Sequence, residues 1–597
     1  MTIRRFEIFQ PQLLAMAVAL GASAQAQAVN FNIGEIRGQF DSSLSIGASW
    51  AVRGPDPDFV STANVSGLRG ETASRSGDDN RQNFKKGETF SKIFKGVHDL
   101  ELKYGDSGVF VRGKYWYDFE LKDEHRLFYD IDDSGRDDLA KSSGAEFLDA
   151  FIYHNYSLGA RAGNVRVGKQ VVSWGESTFI GNSINVINPI DVAAVRRPGA
   201  EVKEGLIPVN MLFVSQGLTE NLTADVFYQL DWQKSVVDNC GTFFGVDPLP
   251  QGCNDRLVAA GPDFAQGDPR LNTVPGSAIF RRIDDNDARD SGQYGVALRW
   301  FVPEWDDVEF GAYAMNYHSR SPTLNLVQTT APQTASAVDR VRASRYFVGY
   351  PEDIRLYGLS FATNVEGTAL GGEISFRPNM PLSLNTADVN NAAINVPTSP
   401  LFVAGHSTRN TPGSVIAGYE RMPVLQAQMT ATKSFAQILG GERLTLIGEV
   451  GYTRINGLGD SDGTDLRFGR SSAFGGGVIP GGATANAGCL NPISNPQQQC
   501  NDKGFYTSDS WGYRLRARQE YPNIIAGINL APNIAWSHDV NGTGPTFEEG
   551  SKAISLGVDA DYRNTYTASL SYTDFFGGDF NTNTDRDYVS LSFGVNF

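Results

Sequence analysis

The last twelve residues, Arg586 to Phe597, read RDYVSLSFGVNF, and from Val589 onward apolar residues alternate strictly with Ser, Gly or Asn. Successive side chains on a β-strand point to opposite faces, so this segment predicts a strand with one apolar face and one small polar face. Soluble β-sandwiches also contain such strands. The pattern therefore predicts a strand, and the rest of the chain must decide the kind of sheet.

The same alternation recurs along the chain in segments of about ten residues, with almost no helical periodicity. Residues 293–300 (QYGVALRW) and 443–452 (RLTLIGEVGY) are two examples. Short and long gaps between these segments alternate along the chain. The long gaps cover roughly 53–91, 122–143, 175–204, 233–291, 320–353, 378–420, 455–509, 538–550 and 577–585.

This alternation of gaps predicts an all-β fold, a transmembrane antiparallel β-barrel of the outer-membrane type with short periplasmic turns and long extracellular loops. Counting strands between the gaps predicts about 18, within a range of 16 to 20. The carboxy-terminal segment resembles the closing strand of a bacterial outer-membrane barrel. That resemblance implies that the terminal aromatic residue, Phe597, is the signal read by the barrel assembly machinery.

Residues 1–28 predict a cleaved signal peptide. Arg4 and Arg5 precede a short apolar core at residues 13–22, and Ala26-Gln27-Ala28 matches a cleavage site. We therefore expect export through the general secretory pathway to the outer membrane of a Gram-negative cell. The mature chain, residues 29–597, is predicted to be a single barrel domain surrounded by outer-membrane lipid.

Charge and cysteine content narrow the function further. The net charge of -16 excludes a nucleic-acid partner, which requires a basic surface. The four cysteines form two close pairs, Cys240 with Cys253 and Cys489 with Cys500. Exported proteins meet an oxidising periplasm, so two local disulfides are expected.

Residues 175–204 predict an unusual loop, because it carries many aliphatic residues that a loop in water rarely holds. Two interpretations remain open. The loop folds into the lumen and narrows it, with Arg196 and Arg197 at the constriction, or it packs over the mouth as a lid. The apolar residues assigned to the lumen in the first interpretation are Phe179, Ile184 and Ile187.

Arg514, Arg516 and Arg518 share one face of a predicted strand, and the opposite face is apolar. Facing lipid would cost roughly 2–4 kcal/mol per arginine at mid-membrane, so we expect these side chains to point into the lumen. They form a ladder that sets ion selectivity, or they neutralise lumen carboxylates such as Asp559, Asp561 or Glu449.

The sequence predicts no enzyme, cofactor or metal site, since it contains neither a nucleophile elbow nor a phosphate-binding loop. A barrel hydrolase would need a serine beside a histidine on the lipid-facing wall. Of six scattered histidines, His98 alone lies clearly enough near an outward strand face to be considered. An interfacial histidine explains that position more simply.

Several stretches resemble the family catalogued as domain of unknown function 1302. They are GKQVVSWGEST (168–178), NVINPIDV (185–192), RRPGAE (196–201), GLTEN (217–221), 521–545 and SYTDFFGG (571–578). The resemblance implies an outer-membrane barrel found beside a periplasmic lipid-carrier-like protein and an inner-membrane permease. It implies no functional residues.

The association with a periplasmic lipid-carrier-like protein and an inner-membrane permease favours a passive channel for hydrophobic or lipid-like small molecules. The alternatives are a structural barrel that conducts little and a general porin for hydrophilic solutes.

Overall fold

The computed structural model describes residues 29–245, 248–486, 489–490 and 495–597 of the chain. The predicted signal peptide, residues 1–28, lies outside the described residues. Within the described part of the chain, no helix is long and apolar enough to cross a membrane.

The described residues form a closed antiparallel barrel of 18 strands, labelled β1 to β18 in chain order, which confirms the predicted fold and strand count. The strands are β1 Ile36–Ala51, β2 Thr89–Tyr104, β3 Ser107–Asp118, β4 Ser143–Leu158, β5 Arg161–Gln170, β6 Val209–Gly217, β7 Leu222–Gln229, β8 Tyr294–Val302, β9 Val308–Tyr317, β10 Ile354–Val365, β11 Thr368–Ser383, β12 Tyr419–Ala436, β13 Arg443–Ile455, β14 Asp509–Ile525, β15 Ile528–Asn541, β16 Lys552–Tyr562, β17 Tyr566–Phe576 and β18 Tyr588–Asn596.

The barrel closes between its first and last strands. β1 pairs with β18 from Ser43↔Asn596 to Ala51↔Tyr588. Phe597 extends this pairing, because its N–H donates to the Ser42 carbonyl at 2.9 Å and its carbonyl accepts from the Ser42 N–H at 2.6 Å. A short strand, Val29–Ile33, pairs with the beginning of β1. Closure leaves no exposed sheet edge in the bilayer, where unpaired backbone groups would be costly.

The outer face of the barrel carries the predicted apolar side chains. On β8, Tyr294, Val296, Leu298 and Trp300 are exposed, whereas Ala297 is fully buried on the inward face. Outward residues on other strands follow the same pattern, as the alternation predicts: Ile152, Leu359, Leu515, Leu570 and Phe593. The strand pleat therefore fixes which residues of every strand point into the lumen.

Long and short connections alternate around the barrel, as predicted. The two disulfides lie in long loops and are confirmed: Cys240 bonds Cys253, and Cys489 bonds Cys500. The short strands of the loops are Val258–Ala260, Ala278–Ile279, Arg281–Arg282, Thr323–Val327, Arg345–Gly349 and Val415–Ile416. The α-helices are Asp79–Asn83, Phe119–Asp123, Val192–Arg196, Arg270–Thr273, Ala337–Arg342, Thr386–Ala393, Pro400–Val403, Gly482–Ala485 and Pro496–Gln499. The 3-10 helices are Pro57–Phe59, Asp138–Ala140, Val202–Glu204, Pro303–Trp305 and Ser472–Phe474.

Candidate functional site in the barrel lumen

The connection between β5 and β6, residues 171–208, lies inside the barrel and is called the lumen loop below. Its first half is held by two inward-facing glutamates. Glu449 on β13 accepts hydrogen bonds from the backbone N–H groups of Thr178, Phe179 and Ile180 at 2.9, 2.6 and 2.7 Å. Glu373 on β11 accepts from the Ile184 N–H at 3.3 Å and from the Glu176 N–H. Charge-assisted bonds of this kind are among the strongest in proteins.

Neutral side chains of the same wall complete the attachment. Gln426 on β12 donates to the Gly181 carbonyl at 2.8 Å, and Gln428 donates to the Ile180 carbonyl at 3.1 Å. Arg377 on β11 donates to the Asn182 side chain at 2.9 Å and also to the Asn182 carbonyl. The backbone polar groups of the loop therefore find partners on the wall, as buried backbone requires.

The second half of the loop contacts the opposite wall. Lys114 on β3 pairs with Asp191 at 3.0 Å, and Lys95 on β2 pairs with Glu204. All four of these side chains are nearly fully buried. Pro198 lies against Gly47 of β1, where a Cβ atom added to the glycine would come within 2.7 Å of the proline. The loop thus spans the interior from β10–β13 to β1–β3.

The aliphatic residues of the loop form a core with the barrel wall. Ile184 and Ile187 are fully buried, with 0 and 1 % exposure, and belong to one cluster with Trp174. The cluster also contains inward-facing residues of β6 to β10: Val209, Met211, Phe213, Phe227, Ala297, Tyr313, Met315, Tyr317, Ile354 and Leu356. Ile184 and Ile187 therefore do not line an open passage, in contrast to their predicted position, because wall side chains cover them. Phe179 remains 37 % exposed.

A cavity of about 770 Å³ remains between the lumen loop and the strands β14 to β18. Residues 195–201 form one side of it. The inward side chains on the facing wall are polar: Arg518, Glu520, Asp559, Asp561, Thr567, Ser569, Ser571, Ser590 and Ser592. Gly199 lies close to this wall, since an added Cβ would be 3.2 Å from the Ser592 Cβ.

Arg196 and Arg197 both border this cavity, as the first interpretation of the loop requires, but their guanidinium groups are held by neighbours. Arg196 pairs with Asp238 at 2.5 Å and lies over the Phe244 ring. Arg197 lies over the Trp116 ring and donates to the Leu139 carbonyl at 3.1 Å. Their charges are therefore partly satisfied on the side away from β14–β18.

The three arginines of β14 have different surroundings. Arg514 pairs with Asp539 at 2.7 Å, and Arg518 donates to Glu520 at 2.6 Å and lies 4.0 Å from Asp559. Arg516 is exposed and has no hydrogen-bond or ion-pair partner among the described residues. Pairing with lumen carboxylates thus accounts for two of the three, and Glu449 instead holds the lumen loop.

A second cavity, of about 660 Å³, lies among the long loops. Its lining mixes polar residues with apolar side chains, among them Leu257, Phe280, Leu324, Val338 and Val341. It is called the vestibule below. The long loops of such barrels are extracellular, so the vestibule lies on the outer side of the lumen loop.

His98 has a serine neighbour on the outward face. The Ser42 hydroxyl lies 2.8 Å from the His98 Nδ1 atom, and the two residues are direct cross-strand partners. The same arrangement recurs between Ser107 and His154, at 2.9 Å. Since Ser42 is only 5 % exposed, its hydroxyl offers little access to a substrate. Cross-strand hydrogen bonding explains both pairs.

Sequence reasoning did not identify the residues that hold the lumen loop, Glu373, Gln426, Gln428 and Glu449, as a group. One signal was present. Phe227 interrupts the polar face of β7, and in the structure its ring packs 5.1 Å from that of Trp174. Apolar residues on a strand face that should be polar therefore indicate where the loop docks.

Comparisons with known proteins place the chain within one sequence family. The family profile described as "Protein of unknown function (DUF1302)" matches residues 10–597. No curated protein matches the chain.

Among solved structures, OccAB1 of Acinetobacter baumannii is similar, with 10% identity, a TM-score of 0.40 and coverage of 96% of this chain and 99% of that one. The outer membrane protein opdK of Pseudomonas aeruginosa has 9% identity and a TM-score of 0.38, covering 94% and 98%. The outer membrane channel DcaP of A. baumannii has 10% identity and a TM-score of 0.34, covering 96% and 100%.

Proposed function

Because the chain belongs to the DUF1302 family of proteins of unknown function, we propose a function from its own geometry: a passive channel in the Gram-negative outer membrane. The observation that carries this proposal is the cavity between residues 195–201 and the polar wall of β14–β18. Apolar packing and buried ion pairs fix the lumen loop against the other walls. The remaining space is the path left for a solute.

The lining of that path favours small solutes with polar or charged groups. Serine hydroxyls on β17 and β18 offer both donors and acceptors, and the carboxylates of Asp559 and Asp561 line the path together with Arg518, which lies 4.0 Å from Asp559. A solute that carries both a charged group and a hydrogen-bonding group can exchange its water for these contacts as it passes.

A hydrophobic or lipid-like cargo is the second candidate. The apolar part of the vestibule, which includes Phe280 and Val338, favours it. Ile180, Ile184 and Ile187 of the lumen loop do not support it, because the wall covers them, whereas Ile190, Val195 and Val202 remain exposed. In this version the channel works with a periplasmic lipid-carrier-like protein and an inner-membrane permease, as the family resemblance implies. An amphiphilic molecule could contact the apolar side chains of the vestibule and the polar side chains of the other cavity.

Single-channel conductance of the refolded protein in a planar bilayer tests the proposal. We expect steady conductance, and a larger one when residues 175–204 are replaced by a short Gly-Ser linker. Long-chain lipids or hydrocarbons that block the current would support the hydrophobic cargo, whereas block by small charged solutes alone would support the polar one.

Two results would count against the channel. A silent bilayer, from protein shown to be folded, would favour a structural barrel that conducts little. Unchanged conductance after removal of the loop would mean that the loop does not narrow the conducting path.

A further inference from the structure

A cluster of acidic side chains lies between two long loops and not on the barrel strands. Asp78 and Asp79 belong to the connection between β1 and β2, and Asp263 belongs to the connection between β7 and β8. Their exposures are 2, 0 and 0 %. One carboxylate oxygen from each lies within 4.8 Å of the others. Three buried carboxylates at this distance require compensation of their charge.

One arginine supplies part of that compensation. Arg256, itself fully buried, donates to both oxygens of Asp79 at 2.5 Å and to Oδ1 of Asp263 at 3.3 Å. The Tyr129 hydroxyl also donates to Asp79, at 2.8 Å, so both oxygens of this carboxylate are engaged. The Arg256 guanidinium against three carboxylates leaves excess negative charge when all three are ionised, and the more distant Arg75, whose charge interacts with Asp263, offsets part of it.

Gln82 provides an independent sign of a missing ligand. Its Nε2 donates to Asp78 Oδ2 at 3.1 Å and to Asp263 Oδ2 at 3.0 Å. Its Oε1 atom, in a side chain only 1 % exposed, has no hydrogen-bond partner among the described residues, and neither has Asp78 Oδ1. A buried oxygen without a hydrogen-bond partner is energetically costly.

A half-turn of the Gln82 amide, whose oxygen and nitrogen have nearly the same shape, would exchange the two atoms. The oxygen would then point between the two carboxylates. Three negative or electron-rich groups converging on one point are stable only when a cation or a proton lies between them. With a cation there, the Gln82 oxygen and the two carboxylates would become ligands together.

We propose that Asp78, Asp263 and Gln82, supported by Asp79, bind one divalent cation, and that calcium fits best. All the available ligand atoms are oxygens, which hard cations prefer, and a divalent charge offsets the excess negative charge. The carboxylate oxygens lie within 4.8 Å of one another, so one cation can contact all three. Calcium accepts such ligands in a flexible geometry, whereas magnesium keeps several waters and is rarely held by side chains alone.

A proton is the competing occupant. Burial, followed by the charge of Asp79, raises the pKa of Asp78 to about 6. Burial and the neighbouring Asp78 and Asp79 also raise the pKa of Asp263 well above its ordinary value, against the influence of Arg256. A proton shared by these carboxylates would therefore remove part of the negative charge when no cation is bound.

The site would have a structural consequence, because it joins two loops that also border the vestibule. Arg75 and Ser76 from the first loop, and residues 258–260 from the second, line that cavity. A bound cation would hold the two loops together at the outer side of the channel.

Isothermal titration of calcium chloride into the full mature barrel, refolded in detergent without lipopolysaccharide and treated with a chelator, tests the site. At pH 8 we expect one calcium per chain. Asp78→Asn and Gln82→Met should each weaken binding at least ten-fold. Asp268→Asn is the matched control, since Asp268 pairs with Arg270 at the surface of the same loop and should bind as the wild type does.

The possible results distinguish a bound calcium ion from a shared proton. No saturable binding at pH 8, or equal binding by the wild type and Asp78→Asn, would overturn the site and leave a cluster that shares protons. Folding of each variant is checked by the heat-dependent mobility of the barrel on a gel. If Asp78→Asn does not fold, the uncharged and similarly sized Gln82→Met decides the question.

Discussion

At the scale of single residues, charge in the lumen is divided between groups that hold structure and groups left free. Glu373, Glu449, Lys95 and Lys114 all bind the lumen loop. Arg516 differs, because it is exposed and unpaired among the described residues. A free charge beside a polar path acts on passing ions, whereas a paired one mainly positions its partner.

Replacing Arg516 by serine is expected to shift ion selectivity toward cations. A unit charge about 6 Å away in water changes the energy of an ion by about 0.7 kcal/mol, which corresponds to roughly a three-fold change in permeability ratio. The reversal potential in asymmetric potassium chloride measures this. Arg516→Lys keeps the charge and should behave as the wild type. Selectivity that does not move would place Arg516 off the ion path.

Glu548 gives a prediction about pH. It lies in the loop after β15, and burial together with the Asp539 carboxylate raises its pKa to about 7. Since the pKa is near 4.5 in the unfolded chain, Glu548 favours the folded state below pH 4.5, and this contribution is lost as the pH rises through 7.

Glu548→Gln, which stays neutral, should therefore raise the free energy of unfolding at pH 8 by about 2 kcal/mol and leave it nearly unchanged at pH 4. Urea unfolding in lipid vesicles at the two pH values measures the difference. Glu549→Gln, at the next position, is the control. An equal effect of Glu548→Gln at both pH values would contradict the assignment.

At the scale of elements, the lumen loop and the wall that receives it form one unit. The inward side of the wall is apolar from β6 to β10, polar at β11 to β13, and basic at β2 and β3. Each of these regions binds a part of the loop with complementary groups. Apolar burial, three backbone bonds to Glu449 and two buried ion pairs all act on the same connection. We therefore expect the loop to be held in one position inside the barrel.

Glu449→Ala should loosen the first half of the loop. Three backbone N–H groups and the Thr430 hydroxyl lose their acceptor, and bonds to a charged group contribute about 1.5–3 kcal/mol each. The expected result is a noisier single-channel current with a higher mean conductance.

Glu449→Gln keeps one carbonyl oxygen and should give a smaller effect. A quiet current of wild-type size from the folded Glu449→Ala variant would show that the remaining contacts hold the loop by themselves.

At the scale of the whole molecule, the barrel depends on the pairing of β1 with β18, which closes the sheet. Phe597 has two proposed roles at this junction, one for its backbone and one for its side chain. Its backbone adds two hydrogen bonds to Ser42, and its aromatic side chain is the insertion signal implied by the resemblance to outer-membrane barrels. A substitution that keeps the backbone but removes the ring distinguishes them.

Phe597→Ser should lower the yield of folded barrel in outer-membrane fractions several-fold, while refolding into detergent in vitro stays close to wild type. The backbone pairs remain, so closure itself is intact, but the ring that the resemblance identifies as an insertion signal is removed. Phe593→Ser, which removes an outward ring earlier on the same strand, is the comparison. Equal loss in cells and in vitro would assign Phe597 a purely structural role.

Much of the architecture follows from local sequence patterns. Alternation with a period of two fixes which side chains face lipid, and the lengths of the gaps fix the two ends of the barrel, so residues 293–300 and 443–452 were enough to predict outward and inward faces. The two disulfides follow from close spacing. Each of these features depends on residues near one another in the chain.

The sequence by itself therefore determined the barrel, its approximate strand number, the alternation of short and long connections and the unusual composition of residues 175–204. Only the tertiary structure decided where that loop lies, which arginine stays unpaired and which acidic residues meet outside the wall. The physical reason is sequence separation. Glu449 binds Phe179 across 270 positions, and Asp79 meets Arg256 across 177. Such partners are set by closure of the barrel and the packing of its loops, and no local pattern encodes them.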